Sequence, residues 1–172
     1  LRGGDKVVLY VEGDIKTAID GQKISDTGVT TIQINTDGMC HLMAGHVNEA
    51  MSRLPLRNLD IIFIENVGNL VCPSAFDLGE TAKVVVLSTP EGDDKPAKYP
   101  STFARAAVLL VNKTDLLKIP HAVDFDFGRA TADARRLNKS LTIFPISAKT
   151  GDGFTGWCEW VIQHTKKLHH HH

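Results

Sequence analysis

Several groups of residues in this chain combine side chains that do chemistry with spacings that let them act together. Asn112-Lys113-Thr114-Asp115 comes directly after the apolar run Ala107-Val108-Leu109-Leu110-Val111. A carboxylate such as Asp115 can accept one hydrogen bond from guanine's ring N–H and another from its exocyclic amine. Adenine offers no such pair of adjacent donors. Lys113 has a stem long enough to lie over a base, and Asn112 carries an amide able to tie neighbouring loops together. Alone, this tetrapeptide reads equally well as a solvated loop in which Thr114 and Asp115 cap a helix. Ser147-Ala148-Lys149, at the end of the next apolar run, tips the balance, because its backbone N–H can face the guanine carbonyl.

A second group is acidic. Glu12-Gly13-Asp14 follows one apolar run and Glu65 follows another. Magnesium is held through one or two carboxylates, water and substrate phosphates, so Asp14 and Glu65 are candidate Mg²⁺ ligands and the candidate catalytic carboxylates. Asp14 also suits the cap of a helix beginning at Ile15, and both roles are compatible. Gly68 lets the backbone approach a terminal phosphate closely. The third group is Cys40-His41 with Cys72. Thiolates with an imidazole suit Zn²⁺ or Ni²⁺. The competing reading is that lone cysteines serve as small buried hydrophobes. Three ligands fall short of a closed tetrahedral site, so solvent or a second subunit across a two-fold axis would complete it. Cys158, between Trp157 and Trp160, reads as packing or surface. Asp93-Asp94-Lys95 reads as a solvated charge run or a switch segment, in a loop over residues 91–100 leading into a helix.

These groups must be positioned by strand ends. Apolar runs recur at Val7–Val11, Thr31–Ile34, Ile61–Ile64, Val84–Leu87, Val108–Val111 and Leu141–Ile146. Most are continuous rather than alternating, as in strands covered on both faces. Helical spacing occupies the gaps at residues 15–26, 42–53, 128–138 and 154–165. Strand–helix alternation predicts an α/β fold with a mainly parallel sheet and helices on both faces. In such a sheet, ligands sit outside the carboxyl ends of the strands, where the polar groups fall. The irregular stretch from Glu65 to Glu80 is long for a compact domain, and such loops are usually functional. Residues 1–168 read as a single domain.

Composition narrows the partners. The 172 residues hold 19 Lys and Arg against 20 Asp and Glu, a balance that gives no expectation of nucleic acid or an anionic membrane. No apolar run approaches the ~20 residues of a membrane span. Three cysteines in a chain whose first residues have no signal-peptide character point to free thiols in a reducing cytoplasm. His169–His172 read as a purification tag and carry no metal argument.

Taken together, Glu12-Gly13-Asp14, Cys40-His41-Leu42, the string from Glu65 to Pro73 (E-N-V-G-N-L-V-C-P), Phe76–Glu80, Glu91–Pro96, Lys98-Tyr99-Pro100 and Asn112–Asp115 resemble the HypB family of nickel-incorporation GTPases. The likeness runs from about Val8 to Trp160. It implies a P-loop GTPase-like fold that binds GTP and GDP and hydrolyses GTP to time nickel or zinc delivery during [NiFe]-hydrogenase maturation. It also implies a GTP-dependent homodimer with metal at its interface on residues matching Cys40, His41 and Cys72. The partners implied are a HypA-type metallochaperone and the hydrogenase large-subunit precursor. Two departures stand out. Met43 replaces the acid that the family carries after Cys-His-Leu, which bears on the support of His41, with His46 the nearest substitute. No G-x-x-x-x-G-K-[S/T] string occurs in the 172 residues. The phosphate-binding loop and its strand are expected to precede residue 1, and hydrolysis is expected to require them. The rival readings are a metal-binding module that does not hydrolyse GTP and a urease-accessory-type GTPase.

Overall fold

A computed structural model describes residues 8–14, 30–36, 39–53 and 59–168. The predicted helix over 15–26, its cap at Asp14 and the histidines 169–172 lie outside the residues or side chains described. The chain divides into two compact units, one ending at Gly79 and the other starting at Glu80.

In the first unit, β1 (Val8–Asp14) lies between β2 (Thr30–Asn35) and β3 (Ile61–Glu65), and all pairings are parallel. The structure corrects one expectation: Glu12, Gly13 and Asp14 do not follow the first strand but form its last residues. Acids and glycine are poor strand formers, but here the ladder to β2 carries them, with Glu12 opposite Gln33 and Asp14 opposite Asn35. α1 (Ala44–Ser52) crosses between β2 and β3, beginning two residues later than the spacing suggests. Val47 and Ala50 fall on its buried face. Ala50 joins Ile34 and Leu42 in a core against which Ile32, Ile62, Ile64 and Leu78 pack.

In the second unit, β5 (Val108–Asn112) is central, flanked in parallel by β4 (Val84–Ser88) and β6 (Thr142–Pro145). Val108, Leu109 and Val111 have no exposed surface, as expected of a middle strand covered on both faces. Residues 91–100 are more ordered than a loop: a 3₁₀ turn at Thr89–Glu91 leads into the short helices α2 (Lys95–Lys98) and α3 (Pro100–Ala104). α4 (Phe127–Leu137) starts at Asp126, whose side chain accepts from the Arg129 N–H at 3.0 Å. It buries Ala130, Thr131 and Ala134, while Leu137 is exposed. α5 (Phe154–Leu168) brings Phe154, Trp157 and Trp160 against Val108, Leu110 and Ile146. Among the described residues no helix is long and apolar enough to cross a membrane.

Candidate nucleotide and metal sites

Parallel register aligns the carboxyl ends of β4, β5 and β6, with Ser88 opposite Asn112 and Val111 opposite Pro145. β5 ends in a sharp bend. Lys113 takes a left-handed conformation at φ 62° and ψ 37°, which is uncommon for a residue with a long side chain. Its carbonyl is held from two sides, by the hydroxyl of Thr89 at 3.0 Å and by the Leu116 N–H at 3.1 Å. Thr89 is completely buried. Thr114 then donates both its N–H and its hydroxyl to the Ile146 carbonyl, at 3.2 and 2.9 Å. These bonds stitch the turn Thr114–Lys118 to the end of β6 and carry Asp115 with it.

Two side-chain bonds join the predicted motifs directly. Asn112 Oδ1 accepts from the Ala148 N–H at 3.0 Å. The hydroxyl of fully buried Ser147 donates to Asp115 Oδ1 at 2.8 Å and accepts from the Thr150 N–H at 3.2 Å. Asp115 is thus oriented through one oxygen, and its other oxygen can take further donors. The Ala148 N–H, expected to face a base carbonyl, is thus bonded to Asn112. Lys113, Ala148 and Lys149 are exposed. The 147–153 loop closes tightly because Gly153, at φ +78°, sits where a Cβ would collide with the Pro145 carbonyl oxygen. Thr89 had no signal in the sequence beyond being a hydroxyl at a strand end.

The acidic group sits at the carboxyl ends of β1 and β3. Register sets Glu65 opposite Glu12 rather than Asp14, which lies two residues further along β1. Glu65 is exposed on one side, but burial of the rest pushes its carboxyl above the usual carboxylate range. A nearby cation would reverse that shift. Gly68 is exposed, with open space where a side chain would stand.

Cys40, His41 and Cys72 are brought to one region of the first unit. Cys40 Sγ lies 3.7 Å from His41 Nδ1, and Cys72 is hydrogen-bonded to Cys40. That bond, followed by burial, raises the Cys72 thiol above its ordinary value. Among the described residues no three His, Cys, Asp or Glu side chains converge on one metal position; the contacts run pairwise through Cys40. The His41 ring stacks on Phe76, centroids 3.8 Å apart and 5° from parallel. Asn66 and Asn69 bond the backbone on both sides of this group. Phe76, Asn66 and Asn69 stood in the sequence as unassigned members of recognisable strings. His46 has a different task from supporting His41: its Nδ1 accepts from the Met43 N–H at 3.1 Å, closing the amino end of α1 where Met43 has no capping oxygen.

The model of the CobW/HypB/UreG nucleotide-binding domain matches residues 2–145, which hold these site residues except Ser147, Ala148 and Lys149 of the loop after β6. The chain belongs to the CobW/HypB/UreG family. Within the family, it is 48% identical over 161 residues to the hydrogenase maturation factor HypB of Azotobacter vinelandii, covering 94% of this chain and 52% of that protein. It is 50% identical over 151 residues to HypB of Escherichia coli K12, covering 88% of this chain and 51% of that protein. The chain therefore spans about half the length of these curated relatives. The crystal structure of HypB from Helicobacter pylori in complex with nickel superposes with a TM-score of 0.89 at 33% identity, covering 96% of this chain and 78% of that one. The α/β class with parallel strands is thus the CobW/HypB/UreG arrangement, as the sequence led us to expect.

Proposed function

We propose that this chain is the greater part of a single G domain that binds GTP and GDP, hydrolyses GTP, and couples nucleotide state to the binding and delivery of nickel or zinc during [NiFe]-hydrogenase maturation. The observation that carries the reading is the bonded pair of motifs at the ends of β5 and β6. Asn112 ties to Ala148 and Ser147 orients Asp115, at 3.0 and 2.8 Å. A carboxylate aimed by a buried hydroxyl, beside an exposed lysine stem, suits a base with adjacent N–H donors. In this reading Asn112, Lys113 and Asp115 with Ser147, Ala148 and Lys149 hold the guanine, and Gly68 lies by the terminal phosphate.

Asp14 and Glu65 would hold Mg²⁺. The residues fit such an ion: they end neighbouring parallel strands, and magnesium takes one or two carboxylates together with water and phosphate oxygens. When bound, the ion would neutralise charge on the phosphates. Cys40, His41 and Cys72 would carry the transported nickel or zinc, their set completed by solvent or a second copy of the chain. The partners would be that second copy, a HypA-type metallochaperone and the hydrogenase large-subunit precursor, all in the cytoplasm. A metal-binding module without hydrolysis is the second reading, favoured by Cys40, His41 and Cys72 all lying within the first unit, with both cysteines as free thiols.

The test is Asp115→Asn in protein that carries a phosphate-binding loop. The substitution places a donor-bearing amide where an acceptor stood. Competition binding should show preference moving from GTP towards xanthosine triphosphate. An unchanged preference removes Asp115 from the base site.

A further inference from the structure

Asn69 spends its amide on the backbone of the two thiol-bearing segments. Its Nδ2 donates to the Cys40 carbonyl at 2.7 Å. Its Oδ1 accepts from the Cys72 N–H at 2.8 Å and from the Val71 N–H at 3.0 Å. One end therefore grips the residue 29 positions upstream, and the other shapes the turn that presents Cys72. Asn66 makes a matching link, its Oδ1 accepting from the N–H of Leu42 and of Val67, each at 2.9 Å. The bonds to Val71 and Cys72 are the local Asx turn that asparagine commonly makes; the bond to the Cys40 carbonyl adds a link to a distant segment.

The geometry points to Asn69 as the positioning residue of the Cys40–Cys72 pair, fixing the distance at which two thiolates meet one metal ion. This rests on the reading of those cysteines as metal ligands. Only an amide serves here. Aspartate lacks the donor for the Cys40 carbonyl, and serine is too short to reach it while still able to cap the Cys72 N–H. The arrangement also sharpens the coupling between the sites. Asn66 and Asn69 stand on the stretch that joins Glu65 to Cys72. A movement of that stretch reaches Cys72 along the chain and Cys40 through the Asn69 amide, so both sulfurs respond together.

The test titrates the chain with nickel chloride against a chromophoric chelator, comparing wild type with Asn69→Ala, Asn69→Ser and Cys72→Ala. Removing a residue that orients metal ligands typically costs ~10–100-fold in affinity, and this loss is expected in both Asn69 variants. Their thiolate-to-nickel charge-transfer absorption at saturating metal should also weaken, a change that lowered stability alone does not produce. Asn69→Ser keeps the turn at Cys72 and provides a folded comparison if Asn69→Ala unfolds, as its thermal midpoint will show. Wild-type affinity and absorption in Asn69→Ser, with affinity lost in Cys72→Ala, overturn the role of Asn69. Wild-type affinity in Cys72→Ala overturns the metal reading beneath it.

Discussion

The base-side cluster and the thiol cluster are built on opposite plans. At the ends of β4, β5 and β6, two of the positioning groups, Ser147 and Thr89, are buried, and the bonds run from side chains at one strand end to the next. Ser147 and Thr89 have no exposed surface, and each directs a neighbour that does face outward. Around Cys40 and Cys72 the thiols sit outside any strand or α-helix, Cys72 opening a 3₁₀ turn at Cys72–Ala75, Cys40 is exposed, and the aligning amides of Asn66 and Asn69 are themselves on loops. The contrast fits the two proposed tasks. Discriminating one base from another requires polar groups that stay in place when the ligand is absent. A transported metal must be released, so its ligands belong on a segment that can shift.

The largest effect expected from this contrast is in the first unit. Leu42 is fully buried in the core with Ile34 and Ala50, directly after Cys40 and His41. Leu42→Ala should destabilise the protein by about 2–5 kcal/mol, the range for emptying a packed site. Urea unfolding followed by circular dichroism measures it. Nickel affinity should fall as well, because the support of the Cys40-His41 backbone is lost. A loss below about 1 kcal/mol would mean that the core does not hold the thiol segment.

A smaller effect, opposite in kind, is expected from Ser147→Ala. It leaves Asp115 Oδ1 and the Thr150 N–H without their shared partner. The loss of such bonds costs about 1–3 kcal/mol, or roughly 5–150-fold in guanine-nucleotide affinity. Nickel affinity without nucleotide should stay at the wild-type value. Isothermal titration of loop-carrying protein with GDP, then with nickel, checks both halves. Equal losses in the two titrations would erase the contrast.

The sequence exposed the two clusters unequally for a physical reason. The run Val108–Val111 is apolar without interruption, so its burial and the motif at its end could be read together. The left-handed Lys113 could not, because nothing in a lysine announces that conformation, and the bonds enforcing it come from Leu116 nearby and from Thr89, 24 residues away. The apolar run stops at Val11, which sets Glu12, Gly13 and Asp14 beyond the strand, but pairing with β2 extends it through them despite their low strand propensity. His46 was legible only as a histidine near the thiols; capping by an imidazole lies outside the usual set of Ser, Thr, Asp and Asn. Cys40, His41 and Cys72 were found by residue type, while the amides that align them act on backbone groups, which leave no mark in a sequence.

In the proposed function, nucleotide state and metal affinity are coupled through the stretch from Glu65 to Cys72. This coupling is tested most directly by measuring nickel affinity of loop-carrying protein in GDP and again in a non-hydrolysable GTP analogue. The account predicts different affinities, with nickel changing the affinity for the two nucleotides by the same factor, as linkage requires. Equal nickel affinity in both nucleotide states would contradict it.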